Sequence, residues 1–178
     1  NCMVIDSEND AVKRRLVQSF SSDLIRFYYG GDMIGNEVGA AAKNVVGIAA
    51  GFLDGFEMGS LKGALMSRGT REVARLIKAM GGSELSAYGL CHLGDYEATV
   101  FSPYSHNRQF GEAFVRGQDY HQLAEGYYTV KALMLLGKKY GVELPICKAV
   151  HDILYEHAVP KAVLAGLLRR GLTEEFYD

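Results

Sequence analysis

The apolar positions of this chain change their rhythm once, at Gly30-Gly31. Before that pair the pattern is short and mixed. Cys2-Met3-Val4-Ile5-Asp6 is a brief apolar run, Ser7-Glu8-Asn9-Asp10 can cap a helix through Phe20, and Leu24 to Tyr29 is β-branched and aromatic enough for a strand. Strand, helix, strand is too little to build a sheet. Residues 1–30 are therefore expected to be the last piece of an α/β domain that begins elsewhere, rather than a marginal appendage.

Beyond Gly31 the pattern is helical almost throughout. Asp32 can cap one long helix, and Ser60 a second that carries Leu61, Leu65, Val73, Leu76 and Ile77 and that Gly81-Gly82 stops. A short helix from Ser83, a loop holding Gly94-Asp95 and Pro103, and a helix capped by Ser105 and ending near Gly117 follow. Helices from Tyr127 to Tyr140, Pro145 to His157 and Pro160 to Arg170 complete the chain, each opened or closed by proline or glycine. The fold class is mainly α: an α-helical bundle over residues 31–178 behind a short β-α-β unit.

Within the first long helix, glycine recurs every fourth residue at Gly35, Gly39, Gly47, Gly51, Gly55 and Gly59, and Lys43 breaks the series. Four residues is close to one turn, so the glycines line a slowly winding stripe from which Lys43 projects. Each interior glycine costs about 1 kcal/mol relative to alanine, so something must pack closely on the stripe. A second helix, a cofactor or a substrate would serve. One reading makes the stripe a helix-packing groove with a surface lysine at its edge; the other makes Lys43 a functional group on a bare strip of backbone.

Composition narrows the class without naming a function. With 48% hydrophobic and 22% charged residues among 178, the chain can bury a core as one domain with a remnant of another. The net charge of −2 and the scattered basic residues give nucleic acid no electrostatic foothold. Cys2, Cys91 and Cys147 share no C-x-x-C spacing, so neither a disulfide framework nor a zinc knuckle is indicated and a reducing, cytoplasmic setting fits best. The most apolar run, Val45 to Leu53, is far short of the roughly 20 residues a membrane span needs, and the first residues do not form a targeting peptide.

Other features take ordinary readings. The histidines at 92, 106, 121, 151 and 157 lack metal-ligand spacing, so no metal site is expected. Asp152 and Glu156 suit a solvated helix face, and Tyr127-Tyr128 suits closure of the core. Neither a nucleophile elbow nor a Walker phosphate loop is present.

What remains is a constellation: Lys43-Asn44 in the stripe, Gly89-Leu90-Cys91-His92-Leu93-Gly94-Asp95, Ser105-His106-Asn107-Arg108-Gln109-Phe110-Gly111, and Ala124-Glu125-Gly126. With Lys43 to Gly51, Arg68-Gly69 and Gly141-Val142-Glu143-Leu144-Pro145-Ile146, these motifs occur in an order that resembles the C-terminal domain of NAD(P)-dependent glycerol-3-phosphate dehydrogenase, from about Val4 to Arg170. The resemblance implies a helical bundle of the 6-phosphogluconate dehydrogenase C-terminal-domain-like type. It also implies that residues 1–30 are the remnant of an N-terminal NAD-binding Rossmann domain. No G-x-G-x-x-G follows a strand, so the pyrophosphate site would lie on that missing partner domain. The start at Asn1, without methionine, suggests an excised piece.

The chemistry implied is hydride transfer between NAD or NADP and C2 of sn-glycerol 3-phosphate, giving dihydroxyacetone phosphate and feeding glycerophospholipid synthesis. By resemblance Lys43 is the general base and acid, and Asp95 orients it or binds substrate hydroxyls. Asn44 and Asn107 hold the polyol, Ser105 and His106 lie at the phosphate, and His106, Leu123 and Glu125 approach the cofactor. A homodimer is also compatible with the family. Two positions depart from its pattern. His106 stands where the family has a phosphate-gripping arginine, and histidine cannot make that bidentate fork; Arg108 is a candidate substitute, although the family has an arginine at that position as well. Tyr96 follows the Gly-Asp pair where a leucine-like residue is usual. A dehydrogenase for another hydroxy acid, polyol phosphate or nucleotide-sugar, and a non-catalytic binding or dimerisation module, therefore stay open.

Overall fold

The computed structural model describes residues 1–171, 174 and 175. Its first unit is β1 (Cys2–Ile5), α1 (Asp10–Phe20) and β2 (Arg26–Tyr29). The strands pair in parallel, Cys2 opposite Arg26 and Ile5 opposite Tyr29, with the helix as crossover. Asn9 caps α1 by accepting the Val12 amide. Of α1 only Val17 is buried, while Phe20, Leu24 and Tyr29 are half or more exposed. The unit thus leaves uncovered the apolar surface that a larger sheet would bury.

Asp6 ties this unit to the bundle. Its carboxylate accepts the Asp32 amide and the Asn36 side-chain amide, both at 2.8 Å, while Lys13 donates to the Gly30 carbonyl.

The bundle is built around α2 (Met33–Gly55), capped by Asp32 through the Gly35 amide. Around it stand α3 (Lys62–Ala79), α4 (His106–Val115), α5 (Glu125–Tyr140), α6 (Pro145–Tyr155) and α7 (Pro160–Leu168). Ala42, Val45, Ile48 and Phe52 of α2 meet Val73, Leu76 and Ile77 of α3, Val130 and Leu133 of α5, and Val150 and Ile153 of α6 in one core. The stripe packs helix on helix: a Cβ on Gly51 would lie 2.1 Å from the Arg108 carbonyl oxygen, and one on Gly111 of α4 would lie 2.2 Å from the Ile48 carbonyl oxygen. No side chain fits between these backbones.

Four expectations give way. Gly59 lies beyond α2 in a 3-10 turn, Gly59–Leu61, with open space around it, so it is not part of the packed stripe. Ser60 sits inside that turn and Leu61 takes the cap position of α3, without a side-chain bond. The expected loop around Gly94 is instead a succession of tight turns, 3-10 at Glu84–Tyr88 and Leu93–Asp95 and π at Glu97–Phe101. Of the tyrosine pair, Tyr127 packs against the core, but Tyr128 is 65% exposed.

The N-terminus of α6 is capped from another helix. Pro145 opens it, and the amides of Ile146 and Cys147 donate to the buried Glu72 carboxylate of α3 at 2.7 and 2.9 Å. Burial pushes the Glu72 carboxyl above its ordinary range, and these two amide bonds oppose that push. Glu72→Ala leaves both amides buried without an acceptor, and the expected cost is about 2–3 kcal/mol, read as a lower midpoint in thermal unfolding. Glu72→Gln keeps an acceptor and should lose less.

Candidate active site

Lys43 occupies the gap between the two packed parts of the stripe. Gly47, Gly51 and Gly55 face α4 and the turn before it, whereas Gly35 and Gly39 face the turns that carry Ser86, Cys91 and His92. The lysine side chain, 24% exposed, reaches from this seam to an ion pair with Asp95 on the Leu93–Asp95 turn. The surface-lysine reading therefore fails, although the glycines do serve helix packing.

A relay of amides stands beside Lys43. Asn44 donates to the Glu125 carboxylate at 3.1 Å and accepts from Asn107 at 3.1 Å. Asn107 accepts the buried Gly126 amide at 2.8 Å. Each asparagine has spent one N–H, which leaves each a second donor for a ligand. Gly126 must be glycine here, because a Cβ would lie 2.5 Å from the Asn44 carbonyl oxygen. The start of α5 is thereby pressed against α2 beside Lys43.

Burial is the largest influence on the Lys43 amine and lowers its pKa below the ordinary 10.5; the charges of Glu125 and Cys91 oppose that. Cys91 itself is pushed up by burial, and its thiol donates to the Ser86 carbonyl at 3.1 Å. The site thus favours a neutral amine more than water does.

Ser105 and His106 share the start of α4 with Asn107 but have partners of their own. Ser105 Oγ caps the helix by accepting the Arg108 amide at 3.3 Å. The Tyr120 hydroxyl donates to Gln109 Oε1 at 3.1 Å, so its oxygen accepts from His106 Nδ1 at 2.9 Å. That leaves His106 Nε2 facing outward on an exposed side chain. Leu123, two residues before Glu125, is 64% exposed and projects from the segment that leads into α5. Arg108 does not substitute for the missing arginine. Its guanidinium is engaged by Asp54 at 2.5 Å, Glu112 at 3.2 Å and the Ser102 carbonyl at 3.0 Å.

A separate cleft of about 510 Å³, which none of these groups lines, opens between the strand pair and the start of α2, lined by Tyr28, Gly30, Asp32, Asn36, Ser86 and Leu90. It lies toward the N-terminal end of α2 from Lys43. His92 and Tyr96, both fully buried near Asp95, stand out in the sequence only as a motif member and as a departure from the family pattern, without a role in the site.

Residues 32–165 match the model of the NAD-dependent glycerol-3-phosphate dehydrogenase C-terminus. The chain belongs to that family. Among curated relatives it is 44% identical over 168 residues to the glycerol-3-phosphate dehydrogenase [NAD(P)+] of Thermus thermophilus, covering 91% of this chain and 52% of that one. It is 37% identical over 172 residues to the enzyme of that name from a Thermotoga species, covering 92% and 54%. A crystal structure of glycerol-3-phosphate dehydrogenase from Coxiella burnetii superposes with a TM-score of 0.88 at 32% identity, over 96% of this chain and 55% of that one. The chain thus spans about half the length of the relatives it matches. No helix among the described residues is long and apolar enough to cross a membrane.

The relatives' names carry NAD(P)+, and the residues here fit the reactive end of such a cofactor. Glu125 offers an exposed carboxylate bonded to Asn44, and Leu123 an exposed apolar side chain. No glycine-rich phosphate cradle follows a strand in the sequence.

Proposed function

We propose that this chain is the substrate-side domain of an NAD- or NADP-dependent oxidoreductase that interconverts sn-glycerol 3-phosphate and dihydroxyacetone phosphate, with residues 1–30 as the end of its dinucleotide-binding domain. The observation that supports this most strongly is the Lys43–Asp95 pair next to the Asn44, Asn107 and Glu125 relay. When bound, the nicotinamide accepts or delivers the hydride at C2.

Lys43 moves the proton. In the oxidative direction its neutral amine accepts the C2 hydroxyl proton; in the reductive direction the ammonium returns it. Asp95 orients the amine. The remaining donors of Asn44 and Asn107 hold substrate oxygens without adding charge. The first amides of α4, where the helix dipole favours anions, receive the phosphate, with His106 Nε2 beside them. Glu125 and Leu123 border the nicotinamide. Supply of glycerol 3-phosphate to lipid synthesis, a cytoplasmic setting suited to the three free thiols, and homodimer assembly belong to the same proposal.

The test is a substrate panel on the complete gene product. NADH or NADPH oxidation should be fast with dihydroxyacetone phosphate and weak with dihydroxyacetone and with 2-keto acids; a preference for a keto acid or a nucleotide-sugar would overturn the reading. His106 gives this assay a finer edge. His106→Arg supplies a permanently charged donor where a neutral His106, its proton on Nδ1, presents only an acceptor at Nε2, and it should lower KM for dihydroxyacetone phosphate by about fivefold or more, since a net hydrogen bond is worth about 1 kcal/mol or more. KM for dihydroxyacetone should not change. Equal gains for both substrates would place His106 away from the phosphate.

A further inference from the structure

Lys43 and Asp95 stand on separate elements, and a buried polar couple bridges those elements. His92 and Tyr96 flank the Leu93–Asp95 turn, and both are fully buried. His92 Nδ1 lies 2.8 Å from the Gly39 carbonyl oxygen, and Nε2 lies 2.6 Å from the Tyr96 hydroxyl. A carbonyl only accepts, so Nδ1 carries the proton, and Nε2 accepts from the tyrosine. The two bonds together select one neutral tautomer. Burial works the same way, lowering the His92 pKa to about 4, with the Lys43 charge adding to it. Burial also raises the Tyr96 phenol, which stays a donor.

The site of the first bond gives the couple its meaning. In an α-helix the carbonyl of residue 39 is the acceptor for the amide of residue 43. His92 therefore bonds to the very turn of α2 that ends at Lys43. Gly39 makes room for it, since a Cβ there would lie 2.8 Å from Cys91 Sγ and 3.3 Å from His92 Cβ. On the far side of the imidazole, the Asp95 amide donates to the His92 carbonyl at 3.1 Å. Tyr96 completes the clamp by packing with Val46, Ala50 and Val100, its hydroxyl beside Gly69 and Thr70 of α3.

We propose that His92 and Tyr96 are positioning residues that hold the Asp95 carboxylate against the Lys43 amine for proton transfer. The inference rests on the reading of Lys43 as the proton-transfer group. Neither residue needs to touch substrate. The charged and titratable groups around the couple are Lys43 on α2, Glu72 on α3, Cys147 on α6, and Cys91 and Asp95 on the chain segment that carries the couple.

The test uses Tyr96→Phe in the complete gene product, which keeps the ring in its pocket and removes the donor to Nε2. Because small misplacements at a reacting centre are costly, kcat should fall about 10- to 100-fold while KM stays within about twofold. Lysine labelled with ¹³C at Cε, with the Lys43 signal assigned through Lys43→Met, reports the pair directly. With Asp95 no longer held in place, Lys43 should titrate at lower pH in Tyr96→Phe than in the wild type. His92→Asn, whose amide can still donate to Gly39, should keep more kcat than His92→Leu; this comparison also decides the matter if Tyr96→Phe does not fold. Unchanged kcat and Lys43 titration in Tyr96→Phe would overturn the proposal, as would equal losses in both His92 variants with the Lys43 signal unmoved. A shifted Lys43 titration in a protein whose wild type does not turn over dihydroxyacetone phosphate would uphold the clamp and overturn the dehydrogenase reading.

Discussion

In the complete gene product, Lys43→Met is expected to lower kcat for glycerol 3-phosphate oxidation by about 10²- to 10⁴-fold, the usual contribution of a positioned acid or base. Methionine is a good helix former of similar length, so α2 and the seam around it should survive the change. Asp95 loses its ion-pair partner, but its side chain is 36% exposed and water can solvate it. Stability should therefore change little. KM should also move little, because Asn44, Asn107 and the start of α4 keep their donors. A loss of kcat below about fivefold would mean that another group moves the proton.

Gly51→Val should be the most destabilising single change in the bundle. The first added carbon alone would sit 2.1 Å from the Arg108 carbonyl oxygen, 2.7 Å from the Glu112 amide nitrogen and 2.9 Å from Gly111 Cα. All three are backbone atoms, so no rotamer change relieves the clash and α4 must separate from α2. We expect a loss of about 4 kcal/mol or more, in the range reserved for severe core defects, and a melting midpoint lower by about 10 °C or more. Gly166→Ala is the control: it lies within α7 with open space around its Cα, and should stabilise by up to about 1 kcal/mol. Equal melting shifts for the two would show that the stripe does not pack as described.

The helices were legible because caps and stops announce them. Asn9, Asp32 and Ser105 all accept the amide expected of an N-cap, and Gly141 ends α5 in the left-handed conformation. The stripe was legible as a packing surface but not as to its partner, since period 4 does not say which backbone will arrive; α4 and the 86–92 turns divide it between them. Lys43 was legible as the break in the series, and Asp95, Asn107 and Glu125 only through their motifs, because residues 52 to 81 positions away meet it or its neighbour through tertiary packing.

His92 shows the opposite case. Its environment, a helix carbonyl on one side and a buried tyrosine on the other, is built from residues that give no periodic signal, in a stretch where 3-10 and π turns replace regular structure. Arg108 was misleading for a related reason. Two residues after His106 in sequence, it points the other way around α4, into the acidic pair of Asp54 and Glu112.

The most direct test of the account is the pH dependence of kcat/KM for glycerol 3-phosphate oxidation by the complete gene product and by its Lys43→Met variant. A base must be neutral to accept the proton, so the wild-type value should rise as the ammonium deprotonates and level off below pH 10.5, the ordinary lysine value that burial lowers. Reduction of dihydroxyacetone phosphate needs the ammonium and should decline across the same window. Both limbs should vanish in Lys43→Met. If the variant keeps the same limbs at the same pH, the titrating base is another group, and the assignment of Lys43 is wrong.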